Sequence, residues 1–91
     1  MIRGDEMWKA IRNANRTQKE IEIAVPVTDG LAKISTVKGG PPWPVPMLVH
    51  IHVTRRSWEW RKYYASVEEA KADFDREEKR YHEWKADMEE A

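Results

Sequence analysis

Apolar and polar side chains alternate through Met47 to Tyr64, MLVHIHVTRRSWEWRKYY, but the alternation changes phase once: Val49, Ile51 and Val53 hold odd positions, Trp58 and Trp60 even ones. A straight strand would put the two sets on opposite faces. A chain reversal at Arg55-Arg56 sets Val53 opposite Trp58 and Ile51 opposite Trp60, so that all five share one face. The segment is therefore predicted to form a β-hairpin with one apolar side. A second hairpin is predicted in EIEIAVPVTDGLAKISTVK, where Ile21, Ile23, Val25 and Val27 alternate with Glu20, Glu22, Ala24 and Pro26, and Asp29-Gly30 supplies a type I′ turn signal. That turn pairs Thr28 with Leu31, Val25 with Ile34 and Ile23 with Thr36. Pro26 has no N–H to give, so its strand should be an edge or leave its amide side unpaired there.

Helical periodicity occupies the two ends. In residues 5–16, DEMWKAIRNANR, Asp5 can cap, acidic groups fill the first turn, Trp8 and Ile11 share a face, and Arg12 and Arg16 fall near the C-terminal end. Residues 66–91 carry the stronger signal. Ser66 with Glu69 makes a capping box, and Val67, Ala70, Phe74, Tyr81, Trp84 and Met88 form a stripe interrupted by Glu77. Between the hairpins, residues 39–46, GGPPWPVP, form a connector whose prolines remove donors and favour extended geometry. Trp43 within it is expected to close over a core edge.

These elements assemble into a single α+β domain spanning residues 1–91, in the order α-β-β-β-β-α. A four-stranded antiparallel sheet carries the long helix on its apolar face. The other face would show Glu20, Glu22, Lys33, Ser35, His50, His52, Glu59 and Arg61. A helix of about 25 residues spans roughly 37 Å, against roughly 23 Å for a seven-residue strand. Tyr81, Trp84 and Met88 are thus expected to overrun the sheet and to meet the N-terminal helix, a second copy in a homodimer, or another protein.

Composition narrows the function classes. With no Cys there is neither a disulfide framework nor a thiolate chemistry. No stretch approaches the ~18 apolar residues of a membrane span, and MIRGDEMWK carries no run of secretory type. The expectation is a cytoplasmic protein without a membrane contact. The formal net charge of zero conceals a division: residues 47–65 hold four basic groups against one acidic, residues 66–91 five against ten. A dedicated duplex binder is usually basic overall, so this balance argues against one. The acidic helix could meet a basic partner or show a solvated polar face.

Candidate chemistry is sparse. His50 and His52 lie two apart on one strand, and the proposed hairpin sets Glu59 opposite His52, a conceivable metal set of nonspecific pattern. Two alternating His on a solvated strand are more often surface residues, and no metal or cofactor is expected. Ser35, Ser57 and Ser66 lack an elbow motif, Ser66 is already a cap, and Gly39-Gly40 lacks phosphate-loop spacing. Arg55, Arg56, Arg61 and Lys62, interleaved with Trp58, Trp60, Tyr63 and Tyr64, could join phosphate attraction to base stacking. Register places the tryptophans in the core, which thins that platform.

The order of helix, sheet and helix is loosely similar to the double-stranded-RNA-binding domain, which has three strands and a basic start to its last helix. Here the corresponding Ser66-Val67-Glu68-Glu69 is acidic. Four strands followed by a helix also resemble the dimeric transcription-cofactor fold that binds single strands, without its sequence motif. Neither assigns a family. The leading expectation is a non-catalytic protein-interaction module, a regulator or inhibitor of the compact sort encoded by phages and mobile elements, with Tyr81, Trp84 and Met88 as its contact residues. The alternative is a single-stranded nucleic-acid binder using Arg55, Arg56, Arg61 and Lys62.

Overall fold

The computed structural model describes residues 4–39 and 47–90. Its elements are α1 (Gly4–Thr17), β1 (Glu22–Val27), β2 (Gly30–Lys38), β3 (Met47–Arg55), β4 (Trp58–Tyr64) and α2 (Val67–Glu90). The strands form one antiparallel sheet in the order β1-β2-β3-β4, with both helices on one face, which is the predicted α+β architecture. The 39–46 connector, with the expectation for Trp43, lies outside the described residues except for Gly39.

The apolar face is the one that periodicity selected. Ala32, Ile34, Val49, Ile51 and Val53 are buried beneath Met7, Trp8 and Ile11 of α1 and Val67 and Ala70 of α2, with Trp60 and Phe74 packed against the cluster. Trp58 and Trp60 share this face with Ile51 and Val53. His50, His52, Glu59 and Arg61 point the other way.

Both hairpin registers differ from expectation by two residues. Arg55 pairs with Trp58, Val53 with Trp60 and Ile51 with Lys62, so the turn is Arg56-Ser57. In the first hairpin Val27 pairs with Gly30, Val25 with Ala32 and Ile23 with Ile34, so the turn is Thr28-Asp29. A slip of two preserves every face, because the side-chain period is two. The positive φ of the first turn belongs to Asp29, at 62°. Gly30 serves a different purpose: a Cβ there would collide with the carbonyl oxygen of Thr54 and press on Arg55. That close approach lets β2 lie alongside the end of β3. Pro26 is on the edge strand β1, as its missing donor requires.

Local caps close the helices. Asp5 sits inside the first turn of α1, and the helix ends where Gln18 adopts a left-handed φ of 58°, allowing Lys19 N–H to reach Ala14 O at 2.9 Å. The connector into β1 is tied to the sheet by buried Thr36, whose hydroxyl donates to Lys19 O (2.9 Å) and accepts from Ile21 N–H (3.1 Å). Ser66 Oγ accepts from Glu69 N–H at 3.2 Å, the expected cap of α2.

Candidate protein-interaction site

Two two-residue turns of an antiparallel meander fall at the same end of the sheet, and α2, which follows β4, runs back toward that end. Arg55, at the last position of β3, faces the helices because it is odd-numbered on that strand. Its side chain is fully buried: Nε donates to Thr28 O at 3.2 Å, Nη2 pairs with Glu78 of α2, and the guanidinium lies 3.9 Å from the ring centroid of Tyr81. Tyr81 is itself only 4% exposed and donates its hydroxyl to Asp29 at 3.0 Å. Lys85, one turn further along α2, pairs with the same carboxylate. These two bonds, from Lys85 first, hold the Asp29 carboxyl below its ordinary range, while burial and Asp29 push the Tyr81 phenol up.

Beyond this tie, Trp84 packs on Trp58 (5.3 Å between centroids) and on Tyr81 (5.9 Å), and Met88 stands 61% exposed. Asp29, Arg56, Ser57, Tyr81, Trp84 and Met88 line a cleft of about 670 Å³ between the turns and the end of α2. Its charged lining is mixed: Asp29 and Glu89 stand against Arg56 and Lys85, with Lys85 engaged by Asp29.

The helix therefore overruns the sheet by less than its length implied. β2 and β3 each run nine residues, roughly 30 Å, and Tyr81 lies only about 21 Å from Val67. Of the three expected contact residues, Tyr81 is a buried intramolecular anchor, Trp84 is half-buried against Trp58, and Met88 alone projects freely. Trp84 meets neither Trp8 nor Ile11. Trp8 packs instead on Phe74, with centroids 6.0 Å apart.

The four basic residues of the nucleic-acid alternative do not share a surface. Arg55, expected in the turn, is sequestered by the two-residue slip that places it opposite Trp58. Arg56 occupies the exposed turn, and Arg61 lies on the open sheet face. Lys62 points to the helix side, with its ammonium 3.9 Å from Asp73. On the open face Tyr63 is 58% exposed and stacks on His50 at 4.4 Å. Glu59 meets His52 at 2.8 Å, diagonally, since its direct neighbour is Thr54. His50 and His52 stand 6.4 Å apart between ring centroids, and among the described residues no three His, Asp or Glu gather around a common point.

A second polar cluster joins β4 to α2. Buried Asp73 accepts from the Tyr64 hydroxyl and from Arg76 Nε (3.1 Å), and these contacts hold its carboxyl below the usual range. Burial, followed by that bond, raises the Tyr64 phenol well above its ordinary value. His50 is shifted down, chiefly by burial and then by His52 and Arg61. The folded chain thus binds fewer protons than the unfolded one on the acid side. The His50 contribution should be complete above pH ~6.5 and fade below it, and the Asp29 and Asp73 contributions should be complete above pH ~3.9 and fade below that. Urea midpoints measured against pH should show both limbs, His50→Gln flattening the upper and Asp73→Asn the lower. An unchanged lower limb in Asp73→Asn would remove that carboxylate from the account.

Sequence periodicity missed Asp29, Glu78 and Lys85. Each reads as an ordinary turn or surface residue, and their partners lie 23 to 56 positions away. Comparison with family models, with curated proteins and with solved structures returned no match for this chain.

Proposed function

We propose that this protein is a small, non-catalytic interaction module, a regulator or inhibitor that binds a larger protein through the cleft between its turns and the C-terminal end of α2. The observation that carries the reading is the pairing of a free apolar tip with a braced floor. Met88 is 61% exposed beside half-buried Trp84, while Tyr81, Asp29, Lys85, Arg55 and Glu78 hold the helix rigidly under them. Rigid aromatic floors ringed by polar groups are where interfaces concentrate their binding energy. The cleft carries charges of both signs, Asp29 and Glu89 with Arg56 and Lys85, and so suits a partner segment that offers an apolar side chain flanked by polar groups of either charge.

Capture from nuclease-treated lysate tests this with the native chain, Met88→Glu and an Arg56→Ala/Arg61→Ala double variant. Recovery of a defined protein should survive nuclease, fall sharply in Met88→Glu, and persist in the arginine variant. Recovery that disappears with nuclease, or that ignores Met88→Glu, would count against the cleft.

One observation favours a second reading, binding of single-stranded nucleic acid on the open face. Exposed Tyr63, backed by His50 and flanked by Arg61, offers a stacking surface beside a cation. The expected result with oligonucleotides is little binding near physiological salt, because Arg55 is withdrawn and Glu59 adjoins Arg61. Tight binding whose salt slope shrinks in Arg56→Ala/Arg61→Ala/Lys62→Ala would reverse the ranking.

A further inference from the structure

The two edges of the sheet are built differently. β1 exposes an edge interrupted by Pro26, which lacks a donor. β4 is a seven-residue strand without Pro or Gly, and no described segment pairs with its outer side. In a two-residue hairpin the closing pair, here Arg55 and Trp58, is hydrogen-bonded, so the even positions of β4 bond β3. Glu59, Arg61 and Tyr63 then turn their N–H and C=O groups outward, and all three side chains are exposed. Such an edge is a template for another strand.

We propose that the outer edge of β4 pairs with β4 of a second copy of this chain, antiparallel about a two-fold axis at Trp60, to give a continuous eight-stranded sheet. Charge complementarity selects both the occupant and the register. An antiparallel pair sets same-face residues opposite each other, so only slips of two are open to β4 against itself. Centring on Trp60 places Glu59 opposite Arg61 of the second copy, twice by symmetry, in the hydrogen-bonded position. Centring on Glu59 would oppose two carboxylates, and centring on Arg61 two guanidiniums. Lys62, an inward-pointing charge of the kind that guards an edge, falls opposite the Trp58 ring of the second copy in the favoured register, a cation over an aromatic face. Glu59 already meets His52 at 2.8 Å on its own sheet, so the polar row His52, Glu59, Arg61 would run across the junction. The surface is distinct from the cleft at the turns, and an isologous pairing of this kind closes as a dimer rather than a fibre.

Charge reversal on the full chain tests the register. Sedimentation equilibrium at tens of micromolar should give twice the 10.8 kDa chain mass. Glu59→Arg alone and Arg61→Glu alone should each weaken self-association at least tenfold, since each opposes like charges. An equimolar mixture of the two variants should recover a one-to-one heterodimer, and the double reversal should recover the homodimer. Circular dichroism of each variant separates lost pairing from lost folding. A monomeric native chain, a mixture that stays monomeric while both variants remain folded, or a dimer abolished by Trp84→Glu and indifferent to both reversals would overturn the proposal.

Discussion

Arg55→Ala is expected to cost about 3–5 kcal/mol of folding stability, the loss that follows when one member of a buried ion pair is removed. Arg55 has no exposed side-chain surface, and its partner Glu78 keeps only 22% of its own. Truncation strands Glu78, frees Thr28 O, and withdraws the cation from beneath Tyr81, so three contacts that tie β3, the first turn and α2 together fail at once. The pair is nonetheless imperfect, because Nη1 of Arg55 is buried with no described partner. An unpaired buried donor is costly, and a well-packed apolar pair often matches or exceeds such an ion pair. Arg55→Met combined with Glu78→Leu should therefore recover most of the loss. Urea titrations of native, single and double variants measure both effects. A loss below about 1 kcal/mol in Arg55→Ala, the scale of an exposed ion pair, would mean that the guanidinium is in water.

Trp8→Ala should be as damaging, by about 3–5 kcal/mol, the usual range for deleting a buried large aromatic. A helix of 14 residues such as α1 is marginal by itself and depends on tertiary packing. Trp8 is 6% exposed and meets Phe74 edge-on, bridging α1 to the middle of α2 where Glu77 interrupts the apolar stripe. Met7, Ile11 and Ala14 complete the buried face, and Arg12 reaches Glu68 at 3.1 Å from its exposed flank. Lys9→Ala, on the solvated side, should change stability by no more than about 0.5 kcal/mol. Hydrogen exchange adds a local reading, since Trp8→Ala should expose the amides of α1 before those of β3. Equal protection of α1 in the native and Trp8→Ala chains would show that the helix does not depend on this contact.

The sequence by itself determined the element order, both helices within a residue or two, and the division of the sheet into an apolar and a polar face. Those features follow from local chemistry: period-two alternation in the strands, period-3.6 spacing in the helices, and a Ser66 cap whose hydroxyl bonds Glu69 N–H. The phase change between Val53 and Trp58 sufficed to put the tryptophans with Ile51, because face membership depends only on whether a position is odd or even. Strand register was not determined, for the same reason. A shift of two leaves every face intact, and the choice fell to contacts across the fold: the narrow approach of Gly30 to Thr54 and the reach of Arg55 to Thr28 and Glu78. The fate of the distal helix was likewise decided by tertiary structure. Tyr81 carries the same apolar signal as Met88, yet nine-residue strands extend beneath the first and not the second, and only an assembled sheet places Asp29 within reach of Tyr81 and Lys85. Of the residues proposed for recognition, Met88 was legible as an apolar position beyond the sheet, whereas the withdrawal of Arg55 and the bracing of the cleft arise from charges that are distant in the chain and adjacent in space.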